Sequence, residues 1–181
     1  MRIIHHLQRK LHHRFLNKKL KTFQRLPKLS PDQAKTVAVI FEATKMGNRK
    51  IVDNFVQKLK NQGKRVTIFA YLNDKNMSNL PFRFFNKKNV NWRGIPNGAE
   101  VEKFLSENFD LLYCLYVGKN IPLEYIGAMA KARFKVGPYV DKLTTYDFMI
   151  DTQNTDLQYF INQINFYLTK ITKNQNELST I

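Results

Sequence analysis

"TVAVIFEATKMGNRKIVDNFVQKLKNQGKRVTIFAYL" (residues 36–72) decides the fold. Its first nine residues are mostly apolar, rich in β-branched side chains and without alternation, the pattern of a strand covered on both faces. Asn48 is placed to cap a following helix, in which Ile51, Val52, Phe55, Val56 and Leu59 fall at helical spacing and which Gly63 stops. Residues 64–72 return to a strand pattern. Strand, helix and strand at this spacing make a βαβ unit, with parallel strands and a right-handed crossover expected.

The flanking segments extend the same architecture. "DLLYCLYVG" (110–118) is apolar on both faces, as a central parallel strand is. "IPLEYIGAMAKAR" (121–133) reads as a helix with Pro122 in its first turn, and "FKVG" (134–137) and "YDFMID" (146–151) as short strands. "FRFFNKKNVNW" (82–92) reads as extended, and "IPNGAEVEKFLSENF" (95–109) as a helix with Asn97 as its cap and Glu100 completing a capping box. A final helix from about Thr155 carries Leu157, Phe160, Ile161, Ile164, Tyr167, Leu168 and Ile171 on one face. The predicted fold class is α/β: a Rossmann-like three-layer domain over residues 32–173, with a mostly parallel sheet of about five strands, followed by a flexible tail at 174–181.

Composition bounds the rest. Hydrophobic residues make up 43% and aromatic residues 13% of 181, enough for one core and too few residues for a second full domain. The single Cys114 excludes an internal disulfide and sits in an apolar run, where a buried hydrophobe and a reducing compartment are expected. No run is long enough to span a bilayer and residues 1–28 lack the apolar stretch of a secretory signal, so the predicted location is cytoplasmic.

Charge is the unusual property. The formal net charge is +16, and nine of the 30 Lys and Arg but none of the 14 acids lie in residues 1–31. More than half of the excess thus occupies a sixth of the chain. Within "MRIIHHLQRKLHHRFLNKKLKTFQRLPK" (1–28), Ile4, Leu7, Leu11, Phe15, Leu16, Leu20 and Phe23 recur every three or four positions, so these residues are predicted to form a basic amphipathic helix, joined to the domain by a proline-containing linker.

The stretches "FRFFNKKNVNWRGIP", "FDLLYCLYVGKNIPLEYIGAMAKARFKVG" and "YDFMID" together resemble a small bacterial family of α/β domains of unknown function, of a kind associated with Bacteroidota, over roughly residues 36–151. The resemblance implies a Rossmann-like domain behind a basic N-terminal segment. It carries no activity and no functional residue.

Catalytic chemistry has little to stand on. His5, His6, His12 and His13 are all in the N-terminal segment; across the two pairs they lie about 9–12 Å apart along a helix, too far for one zinc, so no metal or cofactor is predicted. The body contains no histidine, which removes the commonest general base. "TKMGNRK" (44–50) matches neither phosphate-loop pattern. A doubly wound sheet collects ligands at the carboxyl ends of its strands, and Glu42, Thr44, Asn73 and Lys119 are the residues expected there.

Binding chemistry is better supplied. Arg9, Lys10, Arg14, Lys18, Lys21 and Arg25 are candidate phosphate contacts; Arg83, Lys87, Lys88, Trp92 and Arg93 interleave cations with aromatic rings in a second candidate patch suited to unpaired RNA bases. The predicted function is non-enzymatic binding of RNA or a ribonucleoprotein such as the ribosome. An anionic membrane surface, a protein partner or homodimer reached through the amphipathic helix, and a nucleotide-dependent enzyme are the alternatives. Seven regularly spaced apolar residues must be covered by the body, by lipid or by a partner, and the body is the expected cover.

Overall fold

A computed structural model describes residues 2–75, 80–140, 145–153 and 155–178, with side chains from residue 7 to residue 172 among them. Six strands form one sheet: β1 (Thr36–Glu42), β2 (Arg65–Leu72), β3 (Arg83–Asn86), β4 (Asn108–Leu115), β5 (Lys131–Pro138) and β6 (Phe148–Ile150). All pairings are parallel, in the order β3-β2-β1-β4-β5-β6, the strand order of a Rossmann fold. Five α-helices accompany it among the described residues: α1 (Arg2–Leu20), α2 (Met46–Asn61), α3 (Ala99–Ser106), α4 (Ile121–Met129) and α5 (Leu157–Leu178).

Successive residues of the central strands point to opposite faces, and both faces are buried. Ala38, Ile40, Leu112 and Cys114 meet α1, α3 and α4; Val37, Val39, Phe41, Leu111, Tyr113 and Leu115 meet α2 and α5. On the first face Phe104 of α3 stacks on Phe69 of β2, with ring centroids 4.4 Å apart. On the second, the Phe55 ring of α2 meets Tyr113 edge-on. This is the predicted three-layer α/β architecture.

Helix α1 belongs to this core. Among the described residues, the β5-to-β6 connection contains no helix, and α1 packs beside α4 on the first face instead. Leu16 is fully buried, with Phe15 and Leu20 packed around it. The segment after the helix continues the attachment: Arg25 pairs with Asp147 at 2.6 Å, and Arg133 Nε donates to the Pro27 carbonyl at 3.0 Å. The predicted amphipathic helix thus lies on its own domain.

Several local expectations change. The segment "FRFFN" pairs with β2 through Phe84 and Phe85, so the sheet has six strands rather than about five. Helix α2 starts at Met46, and Asn48 donates its side-chain amide to the Glu42 carbonyl instead of capping. Helix α3 starts after Gly98, whose φ of 105° turns the chain in a way open to glycine, so Asn97 does not cap it. Lys131–Arg133 belong to β5, because Ala130 is extended and ends α4. Of the expected tail, residues up to Leu178 are helical in α5, and 179–181 lie outside the described residues.

Candidate nucleic-acid interface

Docking divides the surface of α1 in two. At 100° per residue, Gln8, His12, Phe15, Leu16 and Leu20 share the side turned to the body, with the exposed Lys19 lying over the Phe15 ring, and Lys10, Arg14, Lys18 and Lys21 lie within about 80° of one another on the side directly opposite. All four of those cations are exposed. No acid interrupts them, and the first turn of α1 has none to offset its dipole. The spacings Lys10–Arg14 and Arg14–Lys18 set like charges four residues apart, each costing about 0.2–0.5 kcal/mol of helix stability. Packing accounts for the inner face of α1; it gives no reason for the outer one.

The other two cations predicted in this segment are placed differently. Arg9 is half-buried on the docked flank, where its charge acts on Glu124. Arg25 is held by Asp147, whose side chain is almost fully buried and also accepts from the Lys135 amide. Neither belongs to the outward row.

The docked face contains a polar cluster. His12 is fully buried between α1 and α4, with Nε2 3.5 Å from Glu124 Oε1, and His13 Nε2 lies 2.8 Å from the same oxygen. Burial, and then the neighbouring His13, lower the His12 pKa from 6.5 to about 4. Burial raises Glu124 to about 7, against the pull of Arg9. His12 is therefore neutral throughout the physiological range. The side chains of His5 and His6 lie outside the described residues. Beneath the same helices, Lys135 is buried with Nζ donating to the carbonyls of Gly127 and Ala128 at the end of α4, and burial lowers it to about 8.

The second patch is partly committed to the fold. Arg83 donates to Glu100 at 3.0 Å and to Glu107 at 2.6 Å, and Phe82, Phe84 and Phe85 pack into the body. Arg83 therefore ties β3 to α3. Lys87 and Lys88 are exposed on a short 3₁₀ turn. Trp92 is 68% exposed with the Arg93 guanidinium 4.8 Å above its ring, and Gln8 Nε2 of α1 donates to the Trp92 carbonyl at 2.9 Å. That bond brings Trp92 and Arg93 alongside the amino-terminal half of α1.

At the carboxyl ends of the strands the polar groups satisfy one another. Thr44 Oγ1 accepts from the Asn73 amide at 2.8 Å, Arg49 Nε donates to the Ala43 carbonyl at 2.6 Å, and Asn120 caps α4 by accepting from Leu123 N. Glu42 is half-buried and raises the Tyr71 pKa after the larger effect of burial; Lys119 is exposed. Two cavities lie elsewhere. One of about 400 Å³ sits between α2, α5 and Pro31, and one of about 560 Å³ lies along the β3 edge beside Phe82 and Phe84. Among the described residues no group of three or more His, Cys, Asp or Glu is placed to hold a metal, and no helix is long and apolar enough to cross a membrane.

Sequence reasoning missed the His12–Glu124 contact, though both partners left a signal. His12 lies midway on the helical wheel between Phe15 and Leu16, the residues that prove most central. Glu124 is the single acid in a helix otherwise apolar on all sides, a position that demands partners. Comparison with curated proteins and with solved structures finds no match. The model of a family of unknown function, DUF6913, matches residues 8–171, from the buried half of α1 through to α5, and the chain belongs to that family.

Proposed function

We propose that this chain is a non-enzymatic binding protein whose partner is RNA or a ribonucleoprotein, held by the outward row Lys10, Arg14, Lys18 and Lys21 together with Arg93. One observation carries the reading: α1 buries its apolar side on its own domain and keeps an acid-free row of cations on the side the fold does not use. Phosphate groups are what such a row recognises without further chemistry, and each contact releases a condensed counterion. A membrane adaptor would need the apolar stripe free for insertion; Phe15, Leu16 and Leu20 are occupied by the body, leaving Leu7 as the exposed member of that stripe among the described residues. The cytoplasm suits the reading, since the lone, buried Cys114 asks for no oxidising compartment.

The test is binding of a labelled RNA across a salt series. The intact protein should bind at about 50 mM salt and weaken steeply above it. Changing Lys10, Arg14 and Lys18 to Glu should abolish most of the affinity and flatten the slope of log affinity against log salt by about 2, the share of three phosphate contacts. The same three-charge reversal at Lys50, Lys58 and Lys60, exposed on α2 across the sheet, should change binding far less. Equal losses from both reversals would reduce the effect to net charge, and failure of the intact protein to bind RNA at low salt would end the proposal.

A further inference from the structure

The outward cations account for phosphates but not for Trp92, the one tryptophan of the chain. A tryptophan serving the core buries its ring; this one is 68% exposed. The backbone beneath it is nevertheless tightly fixed. Asn91 Oδ1 accepts from both Arg93 N (2.9 Å) and Ile95 N (3.1 Å), Asn91 N donates to the Ile95 carbonyl, and Gly94 N donates to the Asn91 carbonyl at 2.8 Å. Gly94 sits at φ 78°, where a Cβ would lie 2.5 Å from the Ile121 side chain, so the turn is seated directly on α4 and position 94 must be glycine. Val90 and Pro96 bridge across its base, and Gln8 clamps it to α1. The ring is thus held out to solvent by a turn with little freedom of its own.

One face of the indole is covered by the Arg93 guanidinium at 4.8 Å, which restrains the ring and leaves the opposite face for a ligand. We propose that this free face of Trp92 stacks an unpaired nucleobase, so that the RNA bound along α1 is recognised as a single strand. The inference rests on the proposed function, because α1 supplies the phosphate contacts; the strand would have to pass from the outward row around the amino-terminal half of α1 to reach Trp92 beside Gln8. Bases inside a duplex offer no free face, whereas every unpaired base does, which makes the recognition selective for single strands and tolerant of sequence. A turn already fixed in the unbound protein adds no ordering cost at that step. The surroundings favour a base over lipid or an apolar peptide: the residues flanking Trp92, Asn91 and Arg93, are exposed and polar or cationic, and α1 meets the turn through Gln8.

Because Trp92 is the only tryptophan, its fluorescence reports on this site alone. The intact chain is titrated with a single-stranded oligouridylate, an RNA duplex of equal length, and vesicles of phosphatidylserine and phosphatidylcholine. The expected result is quenching of the intact chain by the single strand; read by anisotropy of labelled oligonucleotides, which does not need the tryptophan, Trp92→Ala should weaken single-strand binding by roughly 5- to 150-fold, the range for one lost stacking contact, while duplex binding is unchanged. Trp92→Phe should retain most of the affinity, and circular dichroism should show both variants folded, since the ring lies outside the core. Unchanged single-strand affinity in Trp92→Ala, or an equal loss for duplex, would overturn the inference. Should the Lys10, Arg14 and Lys18 reversal abolish binding while Trp92→Ala does not, stacking alone fails; if neither matters, the proposed function fails with it. A blue shift with vesicles and no response to RNA would assign Trp92 to a membrane surface and overturn both.

Discussion

Helices α1 and α5 cover opposite faces of one sheet and are built in opposite ways. Residues 157–169 of α5 contain no charged side chain, and its inner face is wholly apolar: Leu157, Phe160, Ile161, Ile164 and Leu168. Its outer face carries Tyr159, Phe166 and Tyr167 among amides and hydroxyls. Helix α1 mixes His12 and the Glu124 contact into its inner face and presents cations outward. The sheet accepts either helix, so the fold does not demand charge at these positions. What the fold leaves unexplained in α1, the proposed binding would explain.

The difference is sharpest in the response to truncation. Phe160→Ala should destabilise the whole domain by about 3–5 kcal/mol, lowering amide protection in every strand. Leu16→Ala removes a side chain equally buried, but α1 is joined to the body by a single connection, so its effect is capped at the free energy of docking. Hydrogen exchange should therefore rise in α1 and along α4 while β1 and β4 stay protected; equal loss of protection in β4 would make α1 part of the global unit and erase the distinction.

Acid should act on the docking of α1 through two opposed titrations. The His12 pKa is lowered on docking, so its contribution is present above about 6.5 and lost as pH falls towards about 4. That of Glu124 is raised, so its protonated form favours docking and stability declines as pH rises from about 4.5 to about 7. The two slopes oppose each other between 4.5 and 6.5, and the intact protein should change little there. In Glu124→Gln the His12 slope stands alone, and docking should weaken by up to roughly 3 kcal/mol between pH 6.5 and 4, read from the thermal melt or from exchange in α1. A flat profile in that variant would mean that His12 is not held neutral by its site.

Arg14→Glu should give the smallest effect, and of opposite sign. It converts the like-charged spacings with Lys10 and Lys18 into attractive ones, raising stability by about 1 kcal/mol and the melting temperature by about 2–4 °C. RNA affinity should fall in the same variant. A change that strengthens the helix while weakening binding is the signature of residues kept for a partner.

The parallel core was readable because it is simple: residues 36–44 and 110–118 are apolar on both faces, and only a strand sandwiched between layers has that need. The edge strands were harder. β3 spans four residues and β6 three, too short for a period to show, and each takes its place from pairing with the strand before it. Strand order was out of reach, since it depends on which crossovers lack a helix and on α1 filling one of those places. In the candidate interface, residue types were right while their commitments were hidden: nothing local to Arg83 reveals Glu107, and nothing near Arg25 reveals Asp147. Leu7, early in the predicted stripe, lies off the docking axis, which the second half of the helix sets.

The seat of α1 also dictates when it can be occupied. Arg25 and its partner Asp147 are 122 residues apart in sequence, and β5 and β6 are made only after α2, α3 and α4. At roughly 5–20 residues per second, about 6–24 s of synthesis separate the basic helix from the surface that receives it. Contacts this distant also slow the final closure of the domain. Throughout that interval the apolar side of α1 is uncovered together with its cations, so the nascent chain exposes a stripe that the finished domain hides.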